Sequence, residues 1–213
     1  RDRKRGGTWL GINGSGSYAA VTNFRAPSEI KKGAPSRGHL VSDFLHSTES
    51  PASYLERIAA TSSTYNGFNL IAGDSRQLAY HSNKDAGVRD LAPGIYGLSN
   101  HLLDTSWPKV SRGKQALTEI VRQAGEVEPE TLFAILADES KAEDQALPDT
   151  GVGVEVERVL SPLFIRTPIY GTRSSTLLLI DIEDSITFIE RTFDAGMKDA
   201  ADAVFKFKSE GEP

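Results

Sequence analysis

The sequence predicts an α+β fold in which two sheets lie between helical layers. Three observations carry this. A β-hairpin stands near each end of the chain, helices come in pairs between them, and the strands outnumber what one half-exposed sheet requires. The order reads hairpin, two helices, three strands, two helices, hairpin.

Thr8 to Ile12 and Tyr18 to Phe24 form the first hairpin. Its turn is Asn13-Gly14-Ser15-Gly16, because an Asn-Gly pair accepts the positive φ of a tight turn. Ala19, Val21 and Asn23 share one face of the return strand, and Ala20, Thr22 and Phe24 the other. Arg25 to Ser36, rich in Lys, Pro and Gly, is a long loop that reads as a lid or as a plain surface connection. Gly38 to His46 has helical spacing, with Leu40, Val41, Phe44 and Leu45 on one face. Ser50 is an N-cap and Pro51 the first position of the next helix. Tyr54, Leu55, Ile58 and Ala59 carry its apolar face, which fades at Thr61 to Thr64.

Phe68 to Ala72 is apolar apart from Asn69 and reads as a buried strand. Gly73 to Arg76 turns the chain into Leu78 to Ser82. Asn83 to Leu91 reads as irregular. Pro93-Gly94 opens a further strand, Ile95 to Ser99, that ends on Asn100. Two strands thus finish on a hydroxyl residue followed by Asn: Thr22-Asn23 and Ser99-Asn100. They are ordinary strand ends, or two amide side chains converging on one sheet edge.

Trp107-Pro108 begins the longest helix, to about Ala124, with Val110, Leu117, Ile120 and Val121 as its stripe. Pro129 opens another through Leu132, Phe133, Ile135 and Leu136. Glu126, Glu128 and Glu130 crowd its positive end. Asp138 to Gly153 is an acidic exposed loop without calcium-loop spacing. Val154 to Leu160 is a short helix with Val156 and Val159 inward, and Phe164 to Thr167 is strand-like. Thr176 to Ile182, a turn at Glu183-Asp184, and Ser185 to Phe193 form the second hairpin. Val204 to Lys208 reads as an edge strand guarded by its lysines.

Composition removes several function classes. The 213 residues, 38% hydrophobic with a formal net charge of -5, suit one domain over 1–213 and show no basic stripe for nucleic acid. The chain has no cysteine, hence no disulfide, zinc-thiolate site or cysteine nucleophile of its own. No run of about eighteen apolar residues marks a membrane span. The start at Arg1, within a charged cluster, suggests residues upstream.

Six segments carry a resemblance. They are Gly6-Gly7-Thr8-Trp9-Leu10-Gly11, Ala20-Val21-Thr22-Asn23, Tyr65-Asn66-Gly67-Phe68-Asn69-Leu70, Tyr96-Gly97-Leu98-Ser99-Asn100, Thr105-Ser106-Trp107-Pro108-Lys109 and Tyr170-Gly171-Thr172-Arg173-Ser174-Ser175-Thr176. In this order they resemble the NRDE family, that of the transport and Golgi organisation protein 2. The resemblance implies an N-terminal-nucleophile hydrolase-like αββα sandwich. The family's Met-Cys start and its Asn-Arg-Asp-Glu motif would lie before Arg1, so the chain reads as that fold without its first strand.

The resemblance also implies two functions. The first is intracellular handling of haem or acyl lipid, in the cytoplasm or in association with mitochondria. No cofactor is required. The ligand is small, apolar and anionic, with Trp9, Phe24, Phe68 and Trp107 lining its cleft and Arg173 meeting its carboxylate. The second is hydrolysis of an acylated amide, as in the choloylglycine-hydrolase branch, by an upstream N-terminal Cys. Asn23 would then be the oxyanion donor. Asn100 would hold the α-amine or substrate carbonyl, and Arg173 would lower the thiol pKa. No metal is implied. His39, His46, His81 and His101 lie in no haem-attachment motif.

Overall fold

In the computed structural model, which describes residues 6–123, 125, 127–194 and 200–209, the residues fall in two compact units. The first lies within Arg1–Thr105 and Lys208–Pro213, the second within Ser106–Phe207.

The first unit is a five-stranded antiparallel sheet with two helices on one face. Its strands are β1 (Leu10–Ile12), β2 (Tyr18–Asn23), β3 (Phe68–Gly73), β4 (Leu78–Ser82) and β5 (Val88–Asp90), paired in that order. Helix α1 spans Gly38–Leu45 and α2 Pro51–Ala59. The register sets Val21 opposite Leu70 and Ala19 opposite Ala72. Alternation then gives one face to Ala19, Val21, Phe68, Leu70, Ala72 and Ala79, and onto it pack Leu40, Val41, Phe44, Tyr54, Leu55 and Ile58. Each large side chain fully buried there contributes about 1.5–3 kcal/mol. The Tyr54 hydroxyl donates to the Leu40 carbonyl at 2.7 Å, so the one polar atom of that side chain is satisfied where the two helices meet.

Local chemistry explains most boundaries. Ser50 accepts from the Ser53 amide, and Pro51 follows where no helical donor is needed. In the β1–β2 turn the left-handed residue is Gly16, at φ 86, rather than the Asn13-Gly14 pair. Asn13 works through its side chain: Oδ1 accepts from the Ser17 amide and Nδ2 donates to the Leu45 carbonyl.

Two expectations fail in this unit. The stretch expected to be irregular contains β5. The stretch from Ile95 to Ser99, expected as a strand, is a loop. It closes on itself instead of pairing: Gly97 and Asp104 exchange bonds, N–H to Oδ1 and N–H to O, both at 2.8 Å. Asp104 is held at φ 61.

The second unit has α3 (Pro108–Arg122), α4 (Pro129–Leu136), α5 (Val154–Leu160) and a three-stranded sheet of β6 (Ser174–Ile180), β7 (Ser185–Phe193) and β8 (Ala200–Lys208), in that order. Leu177 pairs with Ile189, and Phe133 of α4 packs on both. The Arg191 guanidinium lies 4.0 Å from the Phe133 ring centre and binds Glu130 and Asp202.

Three details differ from expectation here. Val121 is 60% exposed, off the α3 stripe. In α5 the inward residue is Glu157, while Val156 is 44% exposed. The Glu157 carboxylate is buried because it accepts from both the amide and the hydroxyl of Thr150. Ile182 is wholly exposed in the turn after β6, where Asp181 Oδ1 collects the amides of Glu183 and Ser185. Ile186 and Ile189, on opposite faces of β7, are both buried. The β8 strand is an edge as expected, and Ala124 and Glu126 lie outside the described residues. Each unit is an antiparallel sheet with helices, so the α+β class stands.

Candidate functional site

Strand β2 ends where three segments of the first unit meet. After Asn23 the chain leaves the sheet: the Phe24 amide donates to the Gly67 carbonyl and the Arg25 amide to the Asn100 carbonyl at 2.7 Å. Asn100 answers with its side chain. Its Nδ2 donates to the Asn23 carbonyl at 3.0 Å, and its Oδ1 accepts from Arg25 Nη2 at 3.4 Å. The two asparagines do meet, but through the side chain of one and the main chain of the other. The Asn23 side chain shares the face of Ala19 and Val21 by alternation. Its Oδ1 is buried and has no hydrogen-bond partner among the described residues. A buried amide oxygen without a donor costs about 1–3 kcal/mol, which makes it the most unusual polar atom of this cluster.

The loop carrying Asn100 is fastened to the other face of the sheet by a buried polar network. Thr22 Oγ1 donates to the Ser99 carbonyl at 2.9 Å. Asn69 Nδ2 donates to Thr22 Oγ1 and to the His101 carbonyl, each at 3.0 Å. Tyr80 completes it, donating to Asn69 Oδ1 and accepting from the Leu103 amide. None of Thr22, Asn69 and Tyr80 takes a site role from the sequence, where Thr22 stands only as the hydroxyl residue before Asn23. The available signal was Asn69 itself, a polar residue inside an apolar strand. His101 stacks on Phe24 with ring centres 4.7 Å apart, and its Nδ1 meets Thr105 Oγ1 at 2.9 Å. Burial lowers its pKa.

Two hollows flank the entry to β1. The Thr8 amide donates to the Gly38 carbonyl, and a Cβ on Gly7 would collide with the Gly38 main chain, so the strand lead-in lies directly on the start of α1. One hollow, of about 730 Å³, runs between this lead-in and α1, with Leu10, Gly11 and Leu45 as its apolar part and His39 and His46 on its rim. His46 Nδ1 is 2.6 Å from the Ser42 carbonyl, which makes it the donor of that bond. The other, of about 400 Å³, is polar, and Trp9, Lys31, Arg37 and Asn66 stand on its walls.

The remaining expected residues divide between wall, core and second unit. Trp9 is 49% exposed on the smaller hollow. Phe68 is fully buried in the core of the first unit, its ring against Tyr65 and His81, so it is packing and not a cleft wall. Trp107 and Arg173 belong to the second unit. Trp107 is buried at the start of α3. Arg173 is exposed ahead of β6, and its carbonyl accepts the Phe193 amide. Among the described residues no group of three or more His, Cys, Asp or Glu is arranged to hold a metal ion. None of their helices is long and apolar enough to cross a membrane.

A family profile described as Transport and Golgi organisation 2 matches residues 1–195. The Transport and Golgi organization protein 2 homolog of Bos taurus is 39% identical over 204 residues, covering 89% of this chain and 73% of that protein. The Homo sapiens homolog is 39% identical over the same shares. The Drosophila melanogaster protein, named Transport and Golgi organization protein 2, is 29% identical over 207 residues, 89% of this chain and 73% of its own length.

Proposed function

We propose, for a chain that belongs to the Transport and Golgi organisation 2 family, that it binds and carries a small amphipathic anion such as haem or an acyl lipid. The scaffold is taken to be an N-terminal-nucleophile hydrolase-like αββα sandwich, and the place of action the cytoplasm. The observation that supports this best is the hollow of about 730 Å³ beside α1. Its size lies within the range of small-ligand sites, which is about 300–1,000 Å³. Its apolar part comes from Leu10 and Leu45, and its imidazoles are His39 and His46. Leu10 and Leu45 take an apolar body, and His39, Ser42, Asp43 and His46 supply the polar contacts.

Titration with haemin, followed by its absorbance, and with a fatty acyl thioester, followed by calorimetry, tests the reading. Saturable binding at about micromolar concentration that Leu45→Asp weakens supports it. Binding by neither probe sinks it. Arg173→Ala, in the same assay, tests the carboxylate contact that the family resemblance implies for Arg173.

The unpartnered Asn23 Oδ1, an acceptor open at the end of β2, favours a second reading, hydrolysis of an acylated amide, in which Oδ1 accepts an N–H of the substrate and Nδ2 is the oxyanion donor. In that reading an N-terminal Cys preceding these residues attacks the amide carbon, and Asn23 and Asn100 supply the surrounding amides. The 213 residues contain no Cys, so the nucleophile has to come from chain ahead of Arg1. Release of amine from an N-acyl amide, abolished when the terminal Cys is blocked, is the outcome this reading requires.

A further inference from the structure

Among the described residues Arg37 is a charge without an opposite charge. It stands at the start of α1, half-buried, and its Nη1 donates to the Gly67 carbonyl at 2.7 Å. Among the described residues no carboxylate pairs with it. Several arginines of this chain are matched: Arg57 with Glu49, Arg112 with Asp138, Arg158 with Asp144, Arg166 with Glu139. A half-buried guanidinium that meets only a carbonyl has lost water without gaining a counter-charge. Burial accordingly pulls its pKa below the usual arginine value.

The surroundings repeat the pattern. The hollow of about 400 Å³ against Arg37 carries a second cation, Lys31, and its described lining includes no Asp or Glu. Lys31 Nζ donates to the carbonyls of Ser63 and Tyr65, at 2.5 and 3.5 Å, and to no carboxylate among the described residues. The walls are fixed. The Lys31 amide donates to Asn66 Oδ1 at 2.7 Å, and Asn66 Nδ2 returns a bond to the Lys31 carbonyl at 3.3 Å. On the other side the Thr8 amide holds the Gly38 carbonyl at 3.1 Å. With Nη1 committed to Gly67, the Nε–H and Nη2–H edge of Arg37 makes no bond to a described residue, and that edge matches two oxygens of one anion.

We propose that this hollow seats an oxyanion, the phosphoryl or carboxylate head of an amphipathic ligand, with Arg37 and Lys31 as its counter-charges and Trp9 against the apolar body. The proposal rests on the ligand-binding reading only for the class of ligand, an amphipathic anion, and gives it a seat separate from the hollow beside α1.

The chain has two tryptophans; Trp107 is 8% exposed and Trp9 49%, so Trp9 emission reports on this hollow. The experiment titrates the full chain with dodecyl phosphate, dodecanoate, inorganic phosphate and, as the uncharged control, dodecanol. Dodecyl phosphate or dodecanoate should quench saturably. Arg37→Gln should weaken that binding by about tenfold or more. Competition by inorganic phosphate assigns free phosphate as a ligand, whereas binding of the dodecyl anions without such competition assigns the head of a lipid-like molecule. Either outcome upholds the oxyanion seat. Equal quenching by dodecanol, or undiminished binding in Arg37→Gln, overturns it.

Arg37→Gln also removes the tie to Gly67. Ala34→Asp keeps the tie and adds a carboxylate to the hollow wall, so it should block the anion while leaving the melting temperature unchanged or raised. If it binds dodecyl phosphate as the parent does, the proposal fails. The two ideas fail separately. Haemin or thioester binding that persists while neither dodecyl anion binds removes the oxyanion seat alone. Dodecyl phosphate held through Arg37, with neither haemin nor thioester bound, removes the haem and acyl-lipid reading alone.

Discussion

The Tyr80 hydroxyl donates to Asn69 Oδ1 at 2.8 Å, and both side chains are essentially fully buried. Asn69 spends its two amide hydrogens on Thr22 and on the His101 carbonyl. Asn69→Leu therefore strands a hydroxyl and a carbonyl together, and should cost about 3 kcal/mol in urea unfolding. Tyr80→Phe removes one donor from the same network and should cost about 1 kcal/mol. Amide exchange across 99–104 should quicken in both. Unchanged exchange in Asn69→Leu would show that the loop is held by something else.

At the start of α2 the expected effect is smaller and local. Ser50→Ala removes the acceptor for the Ser53 amide and should destabilise the chain by about 1 kcal/mol, whereas Ser50→Asp should restore most of it. A Ser50→Ala protein as stable as the parent would mean that Pro51 alone sets the helix start.

Arg191 makes stability depend on acid. Its hydrogen bonds hold the carboxyls of Glu130 and Asp202 below their ordinary pKa values. Groups of this kind stabilise the fold above their unfolded pKa of about 4, and the contribution is lost as pH falls through their folded values. Melting temperature should thus drop below about pH 4 in the parent. Arg191→Gln should melt lower at neutral pH and show a shallower acid limb. Parallel melting curves for the two proteins from neutral pH to acid would exclude the linkage.

His101 has the same sign for a different reason. Burial lowers its pKa, so the folded chain prefers the neutral ring. The unfolded chain binds the proton first. Stability is therefore complete above the unfolded value of about 6.5 and declines as pH falls from there to the folded value. His101→Gln should remove that decline. The measurement is melting temperature between neutral pH and about pH 5: if Phe24 and Thr105 accept the glutamine, the two proteins coincide near neutral pH and the parent falls below the variant toward pH 5.

What was legible in the sequence followed local rules. Ser50-Pro51, the helical spacing of Leu40, Val41 and Phe44, and the Asn13 turn all state their structure within a few residues. What was not legible depends on distant partners. Ile95 to Ser99 reads as a strand by composition, but Asp104 closes it into a loop and Thr22 receives it by side chain. Val156 looked inward and Glu157 outward until Thr150 supplied two donors to that carboxylate. Asn23 and Asn100 read as the ends of two strands; Asn100 instead sits in a loop and reaches the main chain of Asn23. Lys31 and Arg37, which lie in or beside a stretch read only as a loop, show their lack of acidic partners only once the chain is folded.

The fastening of the Asn100 loop has a consequence for sequence latitude. The sheet contributes side chains, those of Thr22, Asn69 and Tyr80, while the loop contributes main-chain atoms of Ser99, His101 and Leu103. A main-chain atom is present whatever residue carries it. In a saturation scan, the three sheet positions should therefore reject nearly every replacement, while Ser99 and Leu103 should be permissive toward any residue that keeps the backbone path. The loop can then change its outward chemistry from one relative to the next without loosening its grip on the sheet.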